Sequence, residues 1–248
     1  MKNATAVLVA AALLGAMPMA LADEASVKKL VEEKLGAKAD QVTKTPYGGL
    51  YEVYAEGQML YTDEKVSFFI GTLTRGELVD TKSRRSVTGE RLEKLSAINF
   101  SDLPLNLAVK TVRGKGSRVI ATFEDPNCGY CKKLAKDLQG IDDVTIYTFL
   151  YPILSEDSAD KSKKIWCAQD RSKAWNDWIL NAASPGGDGK CEHPTDKVVA
   201  LGQRLRVNGT PTIFFSNGER AGGWIPADQM EKRLKRIAAG SKPVPSAN

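Results

Sequence analysis

FEDPNCGYCKK, residues 123–133, contains two cysteines that are separated by only Gly129 and Tyr130. Such a pair, here Cys128 and Cys131, can bind a metal ion, form a short disulfide or exchange electrons with other thiols. A disulfide between them would close almost no loop and would therefore stabilise the fold little. The segments on either side of the motif decide among these uses.

The motif stands between a strand and a helix in an alternating pattern. Residues 117–124 read SRVIATFE, with the continuous apolar core of a buried strand, and residues 128–140 have a helical pattern that Gly140 could end. A CxxC in a strand–helix–strand arrangement is typical of thioredoxin-like redox folds. The later segments predict a strand at 143–151, a helical tract at 158–182, a helix at 195–207 capped by Thr195, a hairpin at 210–224 turned at Asn217–Gly218, and a closing helix at 227–240.

Cys128 is predicted to be the nucleophile of the pair. At the beginning of a helix its sulfur faces unpaired backbone N–H groups and the positive end of the helix dipole, which both favour the thiolate. Cys131 lies one turn further on, toward the core, and is expected to be less reactive. A zinc site is disfavoured because its second ligand pair would be Cys191 and His193, whose spacing is unlike that of zinc ribbons.

The first 22 residues have the pattern of a secretory signal peptide. Lys2 precedes an apolar run at 6–17, and the small residues of Ala20-Leu21-Ala22 fit the site that a signal peptidase reads. The run is short for a membrane span, and Pro18 interrupts it. We therefore expect cleavage after Ala22 and an exported chain, in a compartment where disulfides form and persist.

Composition is that of an ordinary globular protein, with 42% hydrophobic residues and a formal net charge of +5. The basic residues are scattered along the chain rather than gathered in blocks. This distribution predicts a solvated surface and no nucleic-acid groove.

Residues 23–86 are predicted to form a small domain of one helix and antiparallel hairpins. A helical apolar face at 25–37 is followed by strand-rich segments at 50–57, 58–63 and 66–75. Because so short a unit has a thin core and open sheet edges, self-association is a reasonable expectation. Residues 87–106 are predicted to form a linker helix capped by Thr88, residues 107–240 a second domain, and residues 241–248 a disordered tail.

A Thr-Pro pair supplies a second signal in the predicted second domain. Pro211 follows Thr210 at the beginning of a predicted strand, about 80 residues after the CxxC motif. X-Pro bonds are the peptide bonds that adopt cis readily. In this position the pair matches the cis-proline loop that faces the CxxC in thioredoxin-like folds, where the backbone can pair with an extended substrate.

Together the signal peptide, the hairpin-rich unit, the linker helix and the segments DPNCGYCKKL, IWCAQDRSKAW and NGTPTIFFSNG resemble the DsbC family of periplasmic disulfide isomerases. The resemblance implies an α+β fold, with a thioredoxin-like catalytic domain that carries a helical insertion and a small N-terminal dimerisation domain. It also implies a V-shaped homodimer around an apolar cleft for unfolded protein. No cofactor is implied, and the electron donor would be a membrane reductase of the DsbD type.

The resemblance assigns roles to residues of this chain. Cys128 and Cys131 match the active pair, with Gly129 and Tyr130 as the dipeptide between them. Thr210 and Pro211 match the cis-proline loop, and the remaining cysteines, Cys167 and Cys191, match a structural disulfide. A bridge between these two would close a loop of roughly 25 residues, which chain-entropy estimates value at about 3.5 kcal/mol.

Two features bear on the acidity of Cys128. Thioredoxin itself has a buried acid six residues before its first active cysteine, and Thr122 occupies that position here. The nearby acids Glu124 and Asp125 are expected to disfavour the Cys128 thiolate, whereas Lys132 and Lys133 are expected to favour it.

The leading functional hypothesis is rearrangement of wrong disulfides in exported proteins through mixed disulfides with Cys128. A DsbG-like reductase of sulfenic acids is an alternative, although relatives of that kind typically carry proline where Gly129 stands. A DsbA-like oxidase is a second alternative, although its usual layout lacks the hairpin-rich domain. A holdase chaperone, which binds unfolded chains without chemistry, is a third and could share the same cleft.

Overall fold

The computed structural model describes residues 23–72, 76–82 and 84–240. The predicted signal peptide and the predicted tail at 241–248 lie outside the described residues. Within the described part of the chain, no helix combines the length and the hydropathy that crossing a bilayer requires.

The N-terminal part is one helix packed on an antiparallel sheet. Helix α1 (Glu24–Leu35) begins at Asp23, whose carboxyl group accepts from the Ser26 backbone N–H, and it buries Val27 and Val31 against the sheet. The sheet has the order β1-β2-β3-β4. Its strands are β1 (Ala39–Lys44), β2 (Tyr51–Ala55), β3 (Gln58–Thr62) and β4 (Ile70–Gly71).

Two features of this sheet differ from the prediction. Strand β1 was missed because ADQVTK is largely polar, and only Ala39 and Val42 of it are buried. Strand β4 is two residues long, although the aromatic run at 66–75 predicts a longer strand. Phe68 and Ile70 in that run are exposed rather than buried, which leaves an apolar edge on the sheet.

The predicted linker helix is shorter than its predicted range. A small hairpin of β5 (Val79–Asp80) and β6 (Arg85–Ser86) leads into helix α2 (Val87–Leu95), and two 3₁₀ turns follow at Phe100–Asp102 and Leu105–Leu107. The prediction that Thr88 caps this helix is wrong. Ser86 is the cap and accepts from the Gly89 N–H, while the buried Thr88 hydroxyl accepts from the Leu78 N–H at 2.7 Å.

The C-terminal part is a five-stranded mixed sheet of order β11-β10-β8-β9-β7, in which only the central β8–β9 pair is parallel. Helices α3 and α7 cover one face of the sheet, and α6 covers the other. The elements are β7 (Val109–Arg113), β8 (Arg118–Glu124), α3 (Gly129–Leu138), β9 (Val144–Leu150), α4 (Glu156–Cys167), α5 (Arg171–Asn181), α6 (Thr195–Arg204), β10 (Thr212–Phe215), β11 (Arg220–Gly222) and α7 (Ala227–Ala238).

The strand–helix–strand order around the CxxC, the hairpin turned at Asn217–Gly218 and the closing helix are confirmed. The tract at 158–182 is two helices rather than one, because Ala168 is extended and the Asp170 carboxyl group begins α5 by accepting from the Lys173 N–H. Thr195 is the first residue of α6, whose cap position is Pro194, so the prediction that Thr195 caps this helix is wrong.

The N-terminal and C-terminal parts touch through polar contacts. Arg206 forms an ion pair with Asp40, the Asn208 amide donates to the Glu56 carbonyl oxygen at 3.0 Å, and Arg233 of α7 pairs with Glu93 of α2 at 2.7 Å. These contacts hold the N-terminal sheet and α2 beside the loop that contains Thr210.

Candidate active site

Cys128 occupies the N-terminal cap of α3, directly after the loop that leaves β8. Its sulfur accepts from the Cys131 backbone N–H at 3.4 Å, which is the capping contact of the helix. The sulfur lies 3.2 Å from the Thr210 carbonyl oxygen, to which Cys128 donates in its protonated thiol form. Both cysteines are buried, but 6% of the surface of Cys128 remains exposed, whereas Cys131 is fully buried. The sulfur at the helix end is therefore the one that an incoming disulfide can reach.

The two thiols differ in acidity. A hydrogen bond from the Cys131 side chain, aided by Thr210 and by backbone N–H groups of the first turn, outweighs burial and lowers the pKa of Cys128 from 9.0 to about 5. Burial and the hydrogen bond with Cys128 raise the pKa of Cys131 far above that of an ordinary thiol. At neutral pH, Cys128 is therefore a thiolate and Cys131 a thiol.

The acids before the motif do not sit as surface charges. The Asp125 carboxyl group is fully buried and accepts from the backbone N–H groups of Ile153 and Leu154 and from the Ser158 hydroxyl, at 2.7 to 2.9 Å. It thereby ties the loop before Cys128 to the loop after β9. Glu124 is also buried, and burial raises its pKa to about 8. Although both acids were expected to disfavour the Cys128 thiolate, the pKa of Cys128 is lowered.

Aromatic side chains surround the start of α3. The Lys132 ammonium lies 5.2 Å from the centre of the Trp178 ring, and Lys133 lies over both Tyr130 and Trp224. The Trp178 indole N–H donates to the carbonyl oxygen of Pro126, in the loop that carries the motif. These contacts fix the loop against α5.

Three exposed apolar side chains lie in segments that border the motif. Tyr130 is 60% exposed, Leu154 57% and Ile153 41%. The loop of Ile153 and Leu154 is anchored to the motif by Asp125. This loop has no periodic pattern that predicts its position, and only its three-dimensional contact with Asp125 brings it to the site.

The Thr210–Pro211 loop lies against Cys128, as expected for the matching loop of thioredoxin-like folds. Its peptide bond is cis, Pro211 is buried, and the Thr210 carbonyl oxygen contacts the Cys128 sulfur. Beside it opens a groove of about 560 Å³ between the N-terminal sheet, α2 and strand β11. The groove is lined by Gln58, Leu92, Thr210, Pro211 and Gly222 among others.

Cys167 and Cys191 form a disulfide, so the four cysteines divide into two pairs as the resemblance implies. Cys191 is thereby removed from the alternative zinc set. Within the described residues, no group of three or more histidine, cysteine or acidic side chains could hold a metal ion.

The family model of a thioredoxin-like domain matches residues 105–238, and that of the disulfide bond isomerase N-terminal domain matches residues 18–89. The chain is 51% identical to a probable thiol:disulfide interchange protein DsbC of Bordetella pertussis, over 80% of this chain and 69% of that protein. It is 27% identical to the thiol:disulfide interchange protein DsbC of Escherichia coli, over 87% of this chain and 89% of that protein.

A solved structure is similar over about half of the chain. The disulfide interchange protein from Neisseria gonorrhoeae covers 54% of this chain and 97% of its own, at 39% identity and a TM-score of 0.52. The two family models, the identities and the shared fold agree with the CxxC geometry. The chain belongs to the DsbC family of thiol:disulfide interchange proteins.

Proposed function

We propose that this protein rearranges incorrect disulfides in exported proteins, with Cys128 as nucleophile and Cys131 as resolving cysteine. The observation that carries the proposal is the asymmetry of the pair, because one thiol is acidic and reachable while the other is buried and held protonated. A thiolate is the attacking species in disulfide exchange.

The reaction begins when the Cys128 thiolate attacks one sulfur of a substrate disulfide. A Cys128–substrate disulfide forms, and the other substrate sulfur leaves as a thiolate with the electron pair. A different substrate thiolate can then attack this mixed disulfide, which releases Cys128 and leaves a rearranged bond. Otherwise Cys131 attacks Cys128, so that the substrate is released reduced and the Cys128–Cys131 disulfide forms.

The groove beside Pro211 supports binding of an extended polypeptide. Strand β11 is an edge strand of the described sheet and lines the groove, together with Thr210 and Pro211. An exposed sheet edge next to a reactive sulfur can receive a substrate segment as an added strand. The exposed side chains of Tyr130, Ile153 and Leu154 would contact apolar residues of that segment.

The remaining parts of the proposal concern location and partners. Residues 1–22 direct export to the periplasm with cleavage after Ala22, and the mature protein is a homodimer joined through residues 23–86. The exposed apolar residues Phe68 and Ile70 at the edge of the N-terminal sheet support this interface. Isomerisation needs a reduced pair at rest, so a thiol reductase of the DsbD type is the proposed electron donor.

A refolding assay on a scrambled disulfide substrate tests the proposal. The full chain is expected to restore substrate activity, Cys128→Ala to abolish that restoration, and Cys131→Ala to trap mixed disulfides. A Cys128→Ala variant as active as the wild type would contradict the assignment. If both cysteine variants still suppress aggregation, a holdase activity is present in addition, and a pair found oxidised in cells would favour the oxidase alternative.

A further inference from the structure

Glu124 lies on the face of the sheet that Cys131 approaches. Side chains alternate along a strand, so Ile120, Thr122 and Glu124 of β8 share one face. Helix α3 covers that face, since Ile120 packs in one cluster with Leu134 and Leu138. Cys131 belongs to the same buried stripe of α3 as these two leucines. The resolving cysteine and the Glu124 carboxyl group are therefore enclosed between the same helix and sheet.

The Glu124 carboxyl group is only partly satisfied. Its Oε1 accepts from the Thr122 hydroxyl at 2.8 Å, whereas Oε2 is buried and has no hydrogen-bond partner among the described residues. A buried acid with an unused oxygen is costly for a fold and calls for an explanation. Core packing alone does not explain this carboxyl group, because an apolar side chain would fill the same position without this cost.

A small polar cavity adjoins the carboxyl group. It has a volume of about 20 Å³, room for a single water molecule, and Glu124, Arg113, Thr148 and Asn176 are among its lining residues. The Nε of Arg113 is likewise buried without a partner among the described residues. Polar side chains of β7, β8, β9 and α5 thus line this cavity, together with Ala135 and Leu138 of α3.

The charged states of Glu124 and the two cysteines are linked. The pKa of Glu124 is raised to about 8, mainly by burial and to a smaller extent by the negative charge of Cys128. A negative Glu124 in turn contributes to the raised pKa of Cys131, after burial and the hydrogen bond with Cys128. Among the described residues, the titratable groups near Glu124 are Cys128 at the cap of α3, Cys131 within α3, and Arg113 of β7, which lines the same cavity, while α5 and β9 present the neutral Asn176 and Thr148.

We propose that Glu124 accepts the proton of the Cys131 thiol when Cys131 resolves the mixed disulfide. This inference rests on the proposed function and adds a residue to it. The Cys131 proton passes to the Glu124 carboxylate, and the Cys131 sulfur attacks Cys128. The Cys128–Cys131 bond forms, the Cys128–substrate bond breaks, and the substrate leaves as a thiolate with the electron pair. The cysteine pair is oxidised by two electrons, and the substrate disulfide is reduced by two.

The order of steps favours this transfer. In the mixed disulfide Cys128 no longer carries a negative charge, so the pKa of Glu124 falls. The carboxylate form of Glu124 is therefore more populated at the step in which Cys131 attacks. After transfer, the neutral Glu124 can release its proton through the adjoining cavity.

A pH-jump experiment on the full chain tests the proposal. Cys128 is joined to a fluorescent peptide thiol at acid pH, and peptide release is followed after jumps to pH values from about 5 to about 9. Glu124→Gln is expected to slow release at neutral pH by about 100-fold, the lower end of what acid–base groups contribute. The substitution should also remove the inflection that titration of Glu124 produces in the plot of release rate against pH. Glu156→Gln, at an exposed acid of α4, is the matched control and should match the wild type.

Release rates and pH profiles that agree within a factor of about two between Glu124→Gln and the wild type would overturn the proposal. Should Glu124→Gln not fold, carboxyl-labelled NMR of the wild type decides. Coupling is reciprocal, so Glu124 must titrate at lower pH in the oxidised protein, which has no Cys128 thiolate. Identical titrations in both redox states would also overturn it. If Cys131→Ala fails to trap substrate at all, the proposed function itself is wrong.

Discussion

At the residue scale, Cys128 predicts a specific pH dependence. Its pKa of about 5 lies below that of an unfolded thiol, so the thiolate stabilises the folded reduced protein. That contribution is complete above the unfolded pKa of about 9 and is lost as the pH falls through about 5. The advantage of the reduced wild type over Cys128→Ser in urea unfolding should therefore shrink as the pH falls from about 9 to about 5.

Alkylation gives an independent measurement of the same property. Iodoacetamide should modify Cys128 at a rate that rises through about pH 5 and then levels, because the thiolate is the reactive species. Cys131 should stay unmodified in the folded protein because it is buried and its pKa is raised. A rate for Cys128 that keeps rising to about pH 9 would show an ordinary thiol.

The position of Cys128 at the beginning of a helix was predictable at this scale because a strand followed by a helix is visible in the local sequence. The surroundings of Glu124 and Asp125 were not predictable from the sequence. Their sequence position suggests two charges beside the sulfur, whereas the fold gives Asp125 three donors from the loop after β9 and its helix, and encloses Glu124 under α3. Such environments depend on segments far away in sequence, which a local pattern does not contain.

At the element scale, the contact between α6 and β9 depends on a missing side chain. A Cβ on Gly202 of α6 would lie 2.4 Å from the Tyr151 ring, whose hydroxyl donates to the Val207 carbonyl oxygen at 3.1 Å. Gly202→Ala should therefore lower the free energy of unfolding by about 1–3 kcal/mol through overpacking. Gly186→Ala meets no atom within 4 Å and is the matched control in the same denaturation experiment.

The disulfide between Cys167 and Cys191 joins the end of α4 to the segment before α6. Replacing both cysteines with alanine should lower the free energy of unfolding by about 2–4 kcal/mol, because the unfolded chain loses its loop constraint. The active pair is untouched, so disulfide rearrangement at temperatures where the variant is folded should remain. Unchanged unfolding midpoints for the two proteins would contradict a structural role for this bridge.

Elements with strong apolar patterns were predictable, and those stabilised by neighbours were not. Strands β8 and β9 are rich in apolar and β-branched residues, and the sequence pattern predicted both. Strands β1 and β7 have mixed sequences and owe their extended form to pairing with β2 and β9, respectively. The cap of α2 was predicted wrongly for a similar reason, since Ser86 and Thr88 are both favoured capping residues and contacts with Leu78 and Tyr61 engage Thr88.

At the scale of the whole molecule, the position of the N-terminal sheet affects the active site. Its Gln58 and the Leu92 of α2 line the groove beside Pro211, and the ion pairs of Arg206 and Arg233 hold the two parts together. The groove beside Pro211 is therefore built from both parts of the chain. Sequence patterns predicted each part separately, but they did not predict the surface that the two parts make together.

The proposed dimer predicts that the exposed edge of the N-terminal sheet is an interface. Ile70 is 48% exposed on the edge strand β4, so a lysine there adds a charge that opposes strand pairing between copies. Ile70→Lys should convert a dimer to a monomer in analytical ultracentrifugation and weaken isomerase activity, while Cys128 keeps its alkylation rate. Val112→Lys is the matched control, because Val112 is 52% exposed on β7 of the other sheet. An Ile70→Lys protein that stays dimeric would place the interface elsewhere.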